Sequence, residues 1–269
     1  MILDRGSVAL AFALLGLAGC QPTSPPEPEE PAADRGEDFV APIERAHSIE
    51  SWKQKQVLQS GIVVRFGGNI ILEGRMLTTP SMSRTRLDLE SGAVSIWDGE
   101  DVWVTPADAD FPRARFHALT WPYFLLAPIK LRDPGALVAP IGEQLLRGER
   151  FETAKLTFES GVGDTPDDWY VLYRNPETGR LAAMAYIVTF GTSQEEAEKE
   201  PHAVTYDEYT DVEGVPIATR WTFWMWNEGE GIQGEPIGEM TLQDPAFVAP
   251  PEDAFTIPEG ARKEALPAG

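Results

Sequence analysis

From Val57 onward, apolar and polar residues alternate with a period of two in a series of short segments. In Ser83–Leu89, for example, charged residues alternate with Thr85, Leu87 and Leu89. Glycine, proline, asparagine and aspartate separate these segments, as is typical of the turns between β-strands. The pattern predicts about eleven strands joined mostly by hairpin-length loops, and therefore a mainly β protein with a single antiparallel sheet.

The clearest hairpin turns at Asp98–Gly99, since Asp-Gly between alternating apolar segments is a strong hairpin signal. If Asp98 faces the aspartate three residues later, Trp97 lies opposite Val102 and Ile96 lies opposite Trp103. Cross-strand pairs of this kind stabilise a sheet. The sequence thus predicts the register of this hairpin as well as its existence.

Several strands are apolar on both faces. Trp221 and Phe223 lie on one face of their segment, and Trp224 and Trp226 lie on the other. A sheet with one face in water would alternate cleanly between apolar and polar residues. We therefore expect a sheet that is covered on both sides or that curls around something apolar.

Two segments outside the strands predict helices. Pro42 suits the first turn of a helix, and the apolar residues after it recur on one face until about Lys55. Ala114–Ala127 is strongly apolar but contains Pro122, which predicts two short helical pieces and a loop. This kinked segment suits a lid over the sheet or ordinary core, and Gly142–Leu146 predicts one more turn.

The N-terminal pattern is that of an exported protein. Val8–Ala18 is apolar but too short to span a bilayer, and it has the length of a signal-peptide core. Leu-Ala-Gly-Cys, at residues 17–20, resembles the bacterial lipobox. The resemblance implies cleavage after Gly19 and a diacylglycerol on Cys20, with an ordinary cleaved signal peptide as the alternative. Gln21, where aspartate would signal inner-membrane retention, implies the outer membrane.

The residues that follow predict a spacer. Residues 21–41 are rich in proline and glutamate and contain few large apolar groups, so they cannot bury enough surface to fold. Extended, they reach about 60 Å from the membrane. The predicted organisation is a signal peptide over residues 1–19, a lipid-anchored tether over 20–41, one β domain over 42–260 and a flexible tail over 261–269.

Charge and cysteine content narrow the range of partners. The 269 residues include 43 acidic and 22 basic side chains, for a net charge of −21. Such a surface repels nucleic acid, so no nucleic-acid partner is expected. Cys20 is the only cysteine, so no disulfide can form within the chain. The domain must be held together by its hydrophobic core.

Candidate catalytic and metal-binding residues are few. Asp164, Asp167 and Asp168 supply the oxygen ligands that calcium prefers, although their spacing matches no calcium loop and a solvated acidic turn is the favoured interpretation. The three histidines and one cysteine lack zinc-site spacing, and the sequence contains no nucleophile elbow or phosphate loop. The sequence therefore predicts no cofactor and no enzymatic activity.

Four motifs resemble an uncharacterised family of bacterial secreted lipoproteins, whose members sometimes carry a heat-shock label. They are Trp121–Phe124, Asp133–Gly135, Gly161–Asp168 and Asn175–Gly179, and the resemblance covers roughly residues 43–260. The order of elements is also similar to the LolA/LolB-like half-barrel of lipoprotein-localisation proteins. That resemblance implies an open half-barrel whose concave face is covered by helices and binds acyl chains.

Two functions are expected from these features. The first is a membrane-anchored, periplasm-facing lipoprotein that binds an acyl chain or another lipid between the sheet and the kinked segment. The alternative is an envelope scaffold or protein-interaction module with a solid core and another envelope protein as its partner. A cavity of roughly 300 Å³ or more distinguishes the two. The expected cavity residues are Trp121, Phe124, Leu125, Met184, Tyr186, Trp224 and Trp226.

Overall fold

Thirteen strands in residues 32–266, the part of the chain that the computed structural model describes, form one antiparallel sheet. The strand count exceeds the predicted eleven, whereas the mainly β class and the single open sheet are confirmed. The strands are β1 (Val57–Phe66), β2 (Asn69–Thr78), β3 (Thr85–Leu89), β4 (Val94–Trp97), β5 (Val102–Thr105), β6 (Ala136–Leu146), β7 (Glu149–Phe158), β8 (Tyr170–Arg174), β9 (Leu181–Tyr186), β10 (His202–Val212), β11 (Val215–Asn227), β12 (Gly231–Val248) and β13 (Arg262–Glu264). The helices are α1 (Ala32–Ala46), α2 (Ile49–Trp52), α3 (Ala114–Leu126), with a 3-10 turn at Ala127–Ile129, and α4 (Gln194–Ala197).

Two meanders make up the sheet. Strands β1 to β5 form one, β6 to β12 form the other, and the pairing of β1 with β12 joins them. The edges of the sheet are β6 and β13, which pairs with β5. Because β5 ends near one edge and β6 begins at the other, the connection between them has to cross a face of the sheet. That connection contains α3, which is why this helix covers the sheet.

The predicted Asp98–Gly99 hairpin is confirmed in its register. Ile96 lies opposite Trp103 and Trp97 lies opposite Val102. The side chain of Asp98 also accepts a hydrogen bond from the indole nitrogen of Trp103, at 2.8 Å. The turn therefore fixes both the backbone and one of the large side chains of β5.

Helix α3 is continuous through Pro122, so the predicted division into two pieces is wrong. Proline has no N–H to donate to the carbonyl four residues earlier. That carbonyl, on Ala118, instead accepts a buried hydrogen bond from the hydroxyl of Thr85 at 2.9 Å. The carbonyl of Phe124, which lies four residues before Pro128, accepts a bond from a tyrosine hydroxyl of β10 at 2.8 Å. The sheet thus supplies the donors that the two prolines lack.

Helix α1 begins at Ala32, well before the predicted start at Pro42. Residues 32–41, predicted as disordered tether, are therefore helical, and Pro42 lies inside the helix. Phe39, Val40 and Ile43 are buried in the core. Burying such side chains contributes about 1.5–3 kcal/mol each, which offsets the penalty of about 3 kcal/mol for an interior proline.

Two predictions near the sheet edges are also wrong. Gly142–Leu146 belongs to strand β6 instead of forming a separate turn. Residues 262–264, predicted as part of a flexible tail, form β13 and pair with β5. In both cases the hydrogen bonds of a neighbouring strand order a segment whose own sequence pattern is weak. The predicted signal peptide and Cys20 lie outside the described residues.

A buried histidine connects α1 to the second meander. The Nε2 atom of His47 accepts a hydrogen bond from the backbone N–H of Leu181 at 3.1 Å. The nearby turn ends at Gly179, whose positive φ and closeness to the Pro42 carbonyl leave no room for a side chain. His47 is therefore a packing residue.

Candidate ligand cavity

A cavity of about 360 Å³ lies between α3 and the inner face of the sheet, mostly against the second meander. Strands β8 and β9 form its floor, and the segments that connect α3 to β6 and β7 to β8 form its sides. Its walls are mainly aromatic. The aromatic lining residues are Trp97, Phe116, Tyr123, Phe124, Phe158, Tyr170, Tyr186 and Phe190.

Three of the four sequence motifs meet at this cavity. Trp121–Phe124 contributes its last two residues, Asp133–Gly135 its first two, and Gly161–Asp168 several more. The fourth motif, Asn175–Gly179, lies against α1 instead. The motifs are far apart in sequence, so the crossing of the sheet by α3 is what brings them together.

The aromatic rings form a continuous wall. The ring centroids of Tyr123 and Tyr170 are 5.6 Å apart, and Phe158 lies 6.4 Å from Tyr123 and 6.0 Å from Tyr170. On the other side, Phe124 packs edge-on against Tyr186 at 5.0 Å. Such spacing is that of mutually stabilising aromatic pairs, so the wall holds its shape without a ligand.

Three tyrosine hydroxyls in this wall have no partner among the described residues. They belong to Tyr123, Tyr170 and Tyr186, whereas the other three tyrosines of the chain each donate a hydrogen bond to a protein oxygen. Tyr170 and Tyr186 are only 7% and 6% exposed. None of the three hydroxyl oxygens is completely buried, so each one reaches free space. All three residues line the cavity, which is therefore the space that the hydroxyls reach.

One end of the cavity is polar. Asp164 accepts two hydrogen bonds from the Arg115 guanidinium, at 2.5 and 2.9 Å. Asp168 accepts bonds from the hydroxyl of Thr165 and from both the N–H and the hydroxyl of Thr189, at 2.7–2.8 Å. Burial raises the pKa of Asp168 above the usual range, although its hydrogen bonds oppose the shift. These contacts hold the Gly161–Asp168 loop against α3 and against the segment that follows β9.

The three aspartates therefore do not form the calcium site considered from the sequence. Asp164 is paired with Arg115, Asp168 is bonded to threonines, and Asp167 is exposed. Within residues 32–266, no three His, Cys, Asp or Glu side chains are grouped so that they could hold a metal ion. The acidic loop instead closes one end of the cavity.

The predicted cavity residues on the inner face are only partly brought together. Phe124 and Tyr186 line the cavity. Trp121 and Met184 are buried in the core beside it, and Leu125 faces a separate space of about 20 Å³ near α2. The cavity lining thus includes Phe124 and Tyr186 but not the other three residues. On α3 the difference arises because adjacent helix positions point in different directions.

Trp224 and Trp226 lie on the outer face of the sheet, so their assignment to the cavity is wrong. Trp224 lies beneath the guanidinium of Arg147, and the Trp226 indole donates a hydrogen bond to the hydroxyl of Tyr173 at 2.9 Å. Together with Leu146 and other residues, Trp226 forms a second apolar cluster. This cluster explains why the strands are apolar on both faces.

Sequence reasoning missed most of the cavity wall. Phe116 and Tyr123 come from α3, Tyr170 from β8, Phe158 from the end of β7, and Phe190 from the segment that follows β9. Tyr123 stands in a recognised motif and Tyr170 in a strand that is apolar on both faces, so both carried a signal. Which of two apolar faces points inward is decided by the packing of α3, and no local pattern reports it.

Comparisons with known proteins identify the fold. No family model matches the chain, and no curated protein matches it. Two solved structures are similar to it at 12% sequence identity and a TM-score of 0.51. One is a DUF1329 family protein from Desulfovibrio piger, which covers 83% of this chain and 96% of its own. The other is a LolA superfamily protein from Nitrosomonas europaea, which covers 82% and 97%.

The chain therefore has a LolA-like fold, as the sequence resemblance implied. At this identity the similarity concerns the fold alone, and a fold does not determine a function. In residues 32–266, no helix is long and apolar enough to cross a membrane.

Proposed function

We propose that this protein is a membrane-anchored lipoprotein of the bacterial envelope that holds a hydrophobic ligand in the cavity beneath α3. The cavity of about 360 Å³ with its aromatic wall is the observation that supports this function. Its volume exceeds the roughly 300 Å³ at which ligand pockets begin, and its lining is typical of sites for apolar molecules. A scaffold with a solid core has no need of such a space.

The anchored location rests on the N-terminal sequence. The lipobox-like Leu-Ala-Gly-Cys implies acylation of Cys20, and two or three acyl chains attach a protein to a membrane almost permanently. The missing aspartate at position 21 supports an outer-membrane, periplasm-facing location. We expect the wild type to incorporate labelled palmitate and Cys20→Ala to incorporate none. The variant should also be released from the membrane fraction.

Native mass spectrometry of the full-length protein, purified in a mild detergent, tests the ligand directly. We expect a bound species of defined mass that organic extraction releases and that is apolar. A fully apo protein that also fails to bind added lipid would contradict the proposed function. A defined protein partner with no lipid would instead favour the scaffold.

Filling the cavity is expected to abolish most of the binding. Ala136 lines the cavity at the start of β6, and Ala136→Trp places an indole in that space. We expect at least about a tenfold loss of affinity for a fluorescent apolar probe such as Nile red, because the indole occupies space that the probe needs; tenfold corresponds to about 1.4 kcal/mol of binding free energy.

A matched control uses the same strand. Ala139 is exposed and does not line the cavity, so Ala139→Trp makes the same change outside it. Its affinity for Nile red is expected to equal that of the wild type. Equal loss in both variants, or in neither, would show that the probe binds elsewhere.

A further inference from the structure

The cavity contains more polar chemistry than a hydrocarbon chain requires. The hydroxyls of Tyr123, Tyr170 and Tyr186 line it and have no partner among the described residues. Because each hydroxyl reaches the free space of the cavity, its hydrogen bond is available to whatever occupies that space, water or a bound molecule. Phenylalanine would supply the same apolar wall without leaving a hydroxyl unpaired.

These hydroxyls remain protonated. Burial raises the pKa of each phenol far above the usual value for tyrosine, and neighbouring negative groups add to the shift for Tyr123 and Tyr170. Each phenol therefore keeps its proton near neutral pH and can donate it in a hydrogen bond. The cavity thus presents three neutral donors to whatever occupies it.

The charges at the cavity do not suit an anion. Among the described residues that line it, Lys130 is the only basic side chain, and it is paired with Asp133. Asp164 and Asp168 also line the cavity, and Arg115 is already bound to Asp164. A carboxylate or phosphate in this space would face carboxylates, and the side chains that line the space supply no free cation. The guanidinium of Arg113 lies outside the lining, over the ring of Phe116.

We propose that the ligand is an uncharged amphiphile, with an apolar body against the aromatic wall and a neutral hydrogen-bond acceptor held by Tyr123, Tyr170 and Tyr186. A neutral ester is the fitting chemical class, because its carbonyl oxygen accepts hydrogen bonds from two phenols, its second oxygen is available to the third, and the group carries no charge. This inference rests on the proposed ligand-binding function and specifies its substrate class. The three tyrosines determine specificity.

Three probes with similar apolar chains test separately whether the ligand needs a hydrogen-bond acceptor and whether it must be uncharged. Dodecane has no acceptor, methyl laurate has a neutral ester, and laurate is anionic near neutral pH. Displacement of Nile red from the full-length protein measures the affinity of each. We expect methyl laurate to bind about tenfold more tightly than either of the others, as one or two net hydrogen bonds provide.

The double variant Tyr170→Phe/Tyr186→Phe tests the assignment to these hydroxyls. Neither hydroxyl has a partner within residues 32–266, so we expect the double variant to keep the folded structure. We expect the affinity for methyl laurate to fall about tenfold, while that for dodecane is unchanged or higher. Tyr173→Phe, which removes a hydroxyl on the outer face of the sheet, is expected to keep the wild-type selectivity.

The outcomes distinguish the two proposals. Equal affinity of wild type for dodecane and methyl laurate, a preference for laurate, or unchanged selectivity in the double variant would overturn the neutral-acceptor proposal and leave the hydrophobic cavity in place. Two results together would overturn the proposed function itself. None of the three probes would displace Nile red from the wild type, and Ala136→Trp would bind Nile red as tightly as the wild type does. Since wild-type selectivity alone decides the first point, the test does not depend on the stability of any variant.

Discussion

Arg115→Met is expected to lower the free energy of unfolding by about 3–5 kcal/mol, because it leaves buried carboxylate charge without a partner. Arg115 is 5% exposed and binds Asp164 through two nitrogens. It also lies 3.8 Å from Asp101 and donates to the carbonyl of Glu100 at 3.3 Å. Urea denaturation followed by tryptophan fluorescence measures the change.

A matched control separates burial from charge. Arg220 also pairs with two carboxylates, Glu208 and Glu239, but its side chain is 45% exposed. Arg220→Met is expected to change the free energy of unfolding by less than about 1 kcal/mol, because exposed ion pairs are weak. Equal losses in the two variants would contradict the role assigned to burial.

The double variant Arg115→Met/Asp164→Leu tests the same pair in another way. Replacing a buried ion pair by apolar residues of similar size is often neutral, so the double variant should recover most of the stability that Arg115→Met loses. Asp164 also closes one end of the cavity, so its loop is expected to loosen when only Arg115 is removed. Ligand affinity should therefore fall together with stability in the single variant.

Acidification from pH 7 to pH 4 is expected to remove about 3 kcal/mol of stability through His47 alone. Burial, followed by the nearby Arg180, lowers the pKa of His47 from 6.5 to about 3. Below pH 6.5, His47 therefore binds a proton in the unfolded chain, whereas in the folded protein it stays neutral until the pH falls to about 3. This stability is complete above pH 6.5 and is lost as the pH falls toward 3.

His47→Gln is expected to remove this part of the acid sensitivity. Glutamine keeps a neutral acceptor for the Leu181 N–H but cannot take up a proton in this range. Denaturation curves at several pH values should show about 3 kcal/mol less loss between pH 7 and pH 4 than in the wild type. Parallel curves for variant and wild type would contradict the assignment.

Two other histidines provide the comparison. Burial lowers the pKa of His117 to about 4, so this residue contributes to acid lability with the same sign and should still do so in His47→Gln. The pKa of His202 is also lowered by burial, which a nearby glutamate opposes. Since His202 is only partly buried, His202→Gln should flatten the pH dependence less than His47→Gln does.

Much of the sheet could be predicted because hairpins are local. The Asp98–Gly99 turn and the alternation around it were enough to place Trp97 opposite Val102. The errors occur where a distant partner decides the outcome. Pro122 divides a helix unless another element supplies a donor to the orphaned carbonyl, and Thr85 does so from a strand that the local pattern could not place there.

The site was predicted less well than the sheet. Phe124 and Tyr186 were identified because aromatic residues in a lid and a strand favour a ligand site, and both line the cavity. Trp224 and Trp226 were misplaced because alternation shows that two faces exist but does not say which one is concave. Tyr123 and Tyr170 become distinctive only once the structure shows that they line the cavity and that their hydroxyls have no partner in the part of the chain it describes.

The sequence by itself determined that the chain is mainly β, that its strands form antiparallel hairpins and that its net charge is strongly negative. It also contains an N-terminal Leu-Ala-Gly-Cys, which implies a lipid anchor. These features are readable because alternation, turn residues and short motifs act over a few neighbouring positions. Only the tertiary structure decided that β1 pairs with β12, that α3 crosses the concave face, and that three phenols share one cavity. Pairing, burial and hydrogen-bond satisfaction depend on residues far apart in the chain, which is why a local pattern cannot report them.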